Sequence, residues 1–269
     1  MAIPKIIHQA YFKKVGLPAL VEKNINFLKG INPGWEYRLY DDNDMVDFIK
    51  SHYPKEILSL YNKINPAYGA AKADLFRYLV IYKLGGVYLD IKSNVFAPLD
   101  EITSGKQYIL SHWPSPPANY SVVFPANIVK TIPKGEYQQW HVIAEPEHPF
   151  LKAVIEKVFD NIENYFVDTF GVGFHGTLRT TGPVPYTMAI HRIIDKHPHA
   201  LYPSNNAIKL AYIGRVFGLA CFFGGPALYT KEKPSYKTLN SSVVFHSEVN
   251  HAYQTDSADN MQTDMQLSM

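Results

Sequence analysis

Residues 65–100 read NPAYGAAKADLFRYLVIYKLGGVYLDIKSNVFAPLD, and the rest of the chain is organised around them. Leu75, Phe76, Leu79, Val80 and Leu84 recur at helical spacing, and Ala70, Ala71 and Ala73 are strong helix formers. Gly85-Gly86 ends that helix, because glycine enters the left-handed region without a steric cost. Val87 to Ile91, VYLDI, is β-branched and aromatic and predicts a short strand. Side chains alternate along a strand, so Val87, Leu89 and Ile91 share one face and Tyr88, Asp90 and Lys92 the other. On the helix, Asp74 and Arg77 are three apart and lie on one side. The spacing lets a helix Asp-Arg pair and a strand Tyr-Asp-Lys row meet in one cleft at a strand end. A Gly-Gly turn or an i,i+3 ion pair is ordinary architecture when alone; the combination marks a candidate site.

Upstream, Lys5 to Gln9 predicts a first strand. Ligands of open α/β sheets sit beyond the carboxyl ends of the strands, and His8, Gln9 and Tyr11 fall at such an end. Leu20 to Leu28 predicts an amphipathic helix, Asn32-Pro33-Gly34 a turn, and Trp35 to Tyr40 a second strand. Asp42-Asn43-Asp44 spells D-x-D, but Met45, Val46, Phe48 and Ile49 follow it. These acids therefore read as caps of a helix N-terminus rather than metal ligands. Pro54 to Lys63 predicts a further helix.

Downstream, Pro98-Leu99-Asp100 reads as a turn and Lys106 to Leu110 as a strand. The Pro-rich, aromatic stretch 111–127 reads as a loop or hairpin beside the site, with Trp113 as an acceptor platform. Trp140 to Ala144 predicts a strand, and a helix runs from His148-Pro149-Phe150 to about Phe166. Phe170 to Thr181, rich in Gly and Thr, reads as a mobile active-site loop; it lacks the lysine and spacing of a P-loop. Val184 to Ile194 predicts a helix, and Ser242 to His246 a last strand ending in a histidine. From Ala252 the chain is polar and expected to be disordered.

A chain of 269 residues with 46% hydrophobic composition can bury one large core. A net charge of +2 gives no electrostatic case for nucleic acid as a partner. The single cysteine, Cys221, excludes an internal disulfide, and its apolar neighbours favour a buried thiol. No leader is expected at the N-terminus, and no apolar run reaches the ~18 residues of a membrane span. A cytoplasmic location, with the protein peripheral at the membrane as the variant, is the expectation.

Asp74, Leu75, Arg77, Tyr78, Gly85, Gly86, Tyr88 and Asp90 form the pattern D-L-x-R-Y-x6-G-G-x-Y-x-D. It resembles the DXD-containing glycosyltransferases of family 32, which include initiating and ceramide mannosyltransferases, capsule enzymes and the clostridial glucosylating toxins. IPKIIHQAYF and NPGWEYRLYDD are similar to that family in the expected order, so the resemblance covers roughly residues 3–100. It implies an α/β fold of the nucleotide-sugar transferase (GT-A) type, with a mixed central sheet flanked by helices. It implies one domain over 1–251, a donor half (1–100) and an acceptor half (101–251), followed by a tail at 252–269. The implied function is transfer of a hexose from a UDP- or GDP-sugar to a glycan or glycolipid acceptor with retention. The alternative is a non-catalytic nucleotide-sugar or glycan-binding protein. By resemblance, Asp74 accepts from donor-sugar hydroxyls, Arg77 holds the sugar or diphosphate, and Tyr88 and Asp90 line the ribose and phosphates. Tyr11 stacks on the base, beside His8 and Gln9, and His246 completes the metal or diphosphate site. The chain departs from the family at Lys92, where the second Asp of DXD belongs. Either Asp90 and His246 hold Mn2+ or Mg2+, or Lys92 takes the place of the cation; metal independence is the favoured expectation.

Overall fold

The computed structural model describes residues 2–114, 124, 131–132, 134–211 and 235–245. Strand β1 (Ile6–Ala10) lies within a six-stranded sheet. It pairs in parallel with β2 (Glu36–Tyr40) on one side and β3 (Gly86–Leu89) on the other. A second short sheet pairs β4 (Asn94–Val95) with a strand at Leu210–Ala211. Strand β5 (Tyr108–Ser111) and β6 (His141–Ala144) are antiparallel, β6 is antiparallel to β3, and β7 (Ala200–Tyr202) runs parallel to β5. The order is β2-β1-β3-β6-β5-β7. All strands but β6 run one way. The ends of β1, β2, β3 and β5 and the start of β6 therefore share one edge, where ligands of such sheets gather.

Alternation divides the core. Tyr88, Val142, Ala144, Tyr108 and Leu110 face helices α2 (Asp42–His52) and α4 (Gly69–Leu84), with Lys55–Lys63 as α3 between them. Ile7, Val87, Leu89, Ile109 and Ile143 face the other way, toward Leu28 of α1 (Ala19–Gly30) and Leu99 and Ile102 of α5 (Leu99–Thr103). Helix α6 (Pro149–Glu163) packs on the α4 side through Phe150, Leu151, Val154 and Val158. A short turn of helix, α7 (Val167–Phe170), follows it. Then come α8 (Gly173–Thr180) and α9 (Pro183–His191). The mixed sheet with helices on both faces is the expected architecture. No helix among the described residues is long and apolar enough to cross a membrane.

Helix α4 has buried residues all round (Ala71, Leu75, Phe76, Leu79, Val80 and Ile81), so it is a core helix rather than a surface one. It ends at Gly85, whose φ of +66° suits glycine. A Cβ there would stand 2.7 Å from ring carbons of both Pro4 and Pro146. Gly86 has φ +101° and lies against the Ile6 carbonyl, which lets β3 start directly beside β1.

Several expectations are corrected. Strand β3 stops at Leu89 rather than Ile91. The Ser93 N–H donates to the Asp90 carbonyl (2.7 Å) and closes a turn, so alternation does not extend to Lys92. Leu99–Thr103 is a short helix, not a turn. Within the predicted mobile loop, Gly173–Thr180 is helical. Thr177 and Thr180 bury their hydroxyls on the carbonyls of Gly173 and Gly176, and Gly176 packs where no side chain would fit. Ser242–Phe245 forms only an isolated bridge, Val244 to Ile64. Cys221, His246, the tail from Ala252 and most of 111–127 lie outside the described residues.

Candidate active site

Asp41, after β2, is the N-cap of α2: it accepts from Asn43 N and Asp44 N, and Asp44 returns a bond to the Asp41 N–H. Lys14 pairs with Asp44 at 2.7 Å. The D-x-D at 42–44 thus sits in a capping box, as the hydrophobic run after it predicts.

The motif residues converge elsewhere. Arg77 of α4 reaches to the sheet edge, and its Nη2 lies 3.0 Å from Asp74 Oδ1 and 3.1 Å from Asp90 Oδ1. Its Nη1 donates to the carbonyl and to Oε1 of Gln139, both at 2.7 Å, and its Nε to the Ala73 carbonyl at 3.3 Å. The guanidinium carbon sits 5.0 Å from the centre of the Tyr88 ring. Three N–H groups of the guanidinium are thus hydrogen-bonded to Gln139 and Ala73, and Nη2 makes the two ion pairs. Arg77 is 4% exposed, enclosed by these partners.

Asp74 is 3% exposed and enclosed as well. Gln139 Nε2 donates to its Oδ1 (3.1 Å) and Thr181 Oγ1 to its Oδ2 (3.0 Å). Burial pushes its carboxyl up to about 6, against the pull of Arg77 and the two hydrogen bonds. Arg77, Gln139 and Thr181 favour its ionised form, and the neighbouring Asp90 carboxylate opposes it. The same burial holds the Tyr88 hydroxyl above its ordinary range.

Asp90 is the member that opens outward: its side chain is 22% exposed, against 5% for Asp74 and for Arg77. One oxygen faces Arg77. The other takes no hydrogen bond among the described residues. The backbone at Asp90 is held from both sides, since its N–H donates to Trp140 O (2.8 Å) and its carbonyl accepts from Gln9 Nε2 (3.1 Å). Beneath the turn, Asn24 of α1 donates to the carbonyls of Ile91 (3.2 Å) and Ser93 (3.0 Å). Lys92 occupies the third position of this turn, half-buried.

The structure separates the remaining candidates. His8 is fully buried; its Nδ1 meets Tyr40 Oη at 3.0 Å and its Nε2 donates to the Gly85 carbonyl at 3.1 Å. Burial, then the charge of Arg38, brings this imidazole down to about 3. It is a strut between β1 and the Gly85 turn, and both nitrogens are occupied. Gln9 is also buried and acts on Asp90 through the backbone, with Tyr37 Oη donating to its Oε1 at 2.8 Å. Tyr11 is half-buried at the sheet edge beside Phe12, packed on the cluster of Val21, Ile25 and Ile91. Trp113 donates to Glu136 Oε1 at 2.9 Å and packs on the α1 side of the sheet, away from Arg77. Gln139, Thr181 and Asn24 are site residues that the sequence reading missed.

A divalent ion, implied by the family, finds few donors here. Asp74 is spent on Arg77, Gln139 and Thr181, which leaves one open oxygen of Asp90. No group of three His, Cys, Asp or Glu able to hold a metal occurs among the described residues. The described residues do not fit a protein-held metal site.

The carboxyl edge of the α/β sheet thus carries a buried Asp-Arg pair and one outward-facing Asp. Residues 18–109 match the family described as "Glycosyltransferase sugar-binding region containing DXD motif". Inositol phosphoceramide mannosyltransferase 3 of Schizosaccharomyces pombe is 31% identical over 186 residues, 68% of this chain and 43% of that protein. Inositol phosphoceramide mannosyltransferase 1 of the same yeast is 28% identical over 167 residues, 61% of this chain and 45% of that protein. The chain thus spans less than half the length of these relatives. Among solved structures, the UDP-bound glycosyltransferase domain from the YGT toxin aligns with a TM-score of 0.49 and 8% identity, over 76% of this chain and 80% of that one.

Proposed function

We propose that this chain transfers a hexose from a UDP- or GDP-linked donor to a glycan or glycolipid acceptor, with retention. The observation that carries the reading is the Asp74–Arg77–Asp90 cluster at the sheet's carboxyl edge, inside the segment that matches the family. The mannosyltransferase names of the relatives support mannose as the hexose and a phosphoinositol-ceramide type of lipid as the acceptor. In the reaction, the bond from the sugar's anomeric carbon to the β-phosphate oxygen breaks. A bond to the acceptor hydroxyl oxygen forms on the same face, and the hydroxyl proton passes to the departing diphosphate. Negative charge grows on the leaving group, and stabilising it is the largest demand on the protein. Asp74, Arg77 and Asp90 sum to a formal charge of −1, and Lys92 brings the set to zero. An ammonium ~4 Å from a phosphate oxygen contributes about 4 kcal/mol at an effective dielectric near 20. Lys92 is therefore assigned to the diphosphate, and turnover is expected without added metal.

A panel of UDP- and GDP-sugars assayed for nucleotide release, with and without EDTA, tests this. Release with one donor, unchanged by EDTA, is expected. No release and no donor-dependent rise in Tm from any sugar nucleotide would overturn it. The competing reading, binding without transfer, draws on the burial of Arg77 in its ion pairs and predicts a rise in Tm with no release.

A further inference from the structure

We infer that Gln139 is a positioning residue, which locks the Arg77 guanidinium and through it aims the open oxygen of Asp90. The inference rests on the proposed transfer reaction and assigns a role within its site. Arg77 and Asp74 lie one helical turn apart on α4, whereas Gln139 comes from the segment that enters β6. Its carbonyl and its Oε1 both accept from Arg77 Nη1, its Nε2 donates to Asp74 Oδ1, and Tyr78 Oη donates to its Oε1 at 3.3 Å. One amide thus answers the donor on one side of it and the acceptor on the other. The neighbouring backbone carries the same restraint to Asp90, since Trp140 O accepts the Asp90 N–H. Arg77 Nη2 is shared between Asp74 and Asp90, so rotation of the guanidinium would release both carboxylates at once. Buried and ion-paired as it is, Arg77 acts on a ligand through Asp90, and Gln139 fixes the plane in which it does so.

The test uses the full chain with Gln139→Met, which keeps the length of the side chain and removes both polar ends. A second variant, Gln139→Glu, keeps the side-chain oxygen that accepts from Arg77 Nη1 and removes only the donor to Asp74 Oδ1. Circular dichroism first establishes that each is folded. For Gln139→Met, kcat falls by ~10- to 100-fold while the donor Kd stays within about threefold, the pattern of a misaimed group rather than a lost contact. By side-chain NMR, Arg77 Nε–H exchange accelerates in Gln139→Met and stays near wild type in Gln139→Glu, which retains the acceptor for Nη1. A folded Gln139→Met with wild-type kcat, a loss confined to donor affinity, or unchanged Arg77 exchange would each overturn the inference. Absence of turnover in the wild type with every donor defeats hexose transfer instead, and the exchange measurement still decides the positioning role.

Discussion

Asn24 and Asn94 share a side-chain hydrogen bond of 2.6 Å beneath the turn that carries Asp90 and Lys92. Both are buried, and Asn94 Oδ1 in turn accepts the Val95 N–H. Asn24→Ala strips the carbonyls of Ile91 and Ser93 of their donor and leaves the Asn94 amide only the long bond to the Asn24 carbonyl (3.4 Å). Unsatisfied buried polar groups cost ~1–3 kcal/mol each, so urea denaturation should show a loss of ~2–4 kcal/mol. Donor affinity should fall as well, because the turn loses its anchor on α1. A variant with wild-type stability would show that the turn holds itself.

Arg77→Lys keeps the charge and discards the fork. Three ammonium donors replace five guanidinium donors arranged in a plane. Asp74, Asp90, Gln139 and the Ala73 carbonyl cannot all be answered. Breaking a buried ionic network costs ~3–5 kcal/mol when a partner is removed, and the retained charge places this change at the lower end. The expected result is a lower urea midpoint with loss of nucleotide release; full activity in Arg77→Lys would show that charge alone suffices.

Acid should act on the site through Asp74. Its carboxyl is raised to about 6 by burial, and its ionised form accepts from Arg77, Gln139 and Thr181. Nucleotide release should therefore rise with pH to a plateau above about 6. Stability carries the opposite sign at this residue: between the unfolded value near 4 and about 6, the folded state binds more protons than the unfolded one. Asp74's contribution then falls as pH rises, by at most ~1.4 kcal/mol per pH unit. His8, lowered to about 3, has the reverse effect: its neutral form stabilises the fold above the unfolded value near 6.5, and that contribution is lost as pH falls toward 3. Denaturation curves from pH 4 to 8 for wild type, Asp74→Asn and His8→Gln separate the two slopes. A shared pH dependence in all three would refute the assignment.

The legible part of this molecule is local. The helix over Gly69–Leu84, its stop at Gly85 and the meeting of Asp74, Arg77, Tyr88 and Asp90 follow from residues within one short stretch. Gln139 was not legible, because its partners lie 62 and 65 residues away and the sequence QQW has no period. The end of β3 at Leu89 was missed for a related reason: Asn24, 67 residues upstream of Ile91, braces the turn that follows it. Gly173–Thr180 reads as a loop by propensity. Its glycines become favourable only where Gly176 meets the Gly171 carbonyl and Val243. His8 looked like a strand-end ligand, yet it points to the Gly85 turn, a contact 77 residues long in sequence.

Lys92 stands, on the proposed reading, where the second Asp of D-x-D is expected, and two substitutions there test what it does. If its ammonium neutralises the leaving diphosphate, Lys92→Ala lowers kcat by ~100- to 1,000-fold, the scale for removing one electrostatic stabiliser of a developing charge. Donor affinity drops less, because the charge on the bridging oxygen is completed only as the bond breaks. Lys92→Asp goes further, turning a site of formal charge zero into one of −2 and restoring the D-x-D spelling at 90–92. Two carboxylates then repel the diphosphate until a divalent ion intervenes, so this variant should be inactive in EDTA and regain turnover with Mn2+. Lys92→Ala lacks the second carboxylate and should respond to Mn2+ weakly. Equal Mn2+ stimulation of wild type and both variants would show that the ion already acts in the wild-type chain and that Lys92 is a bystander.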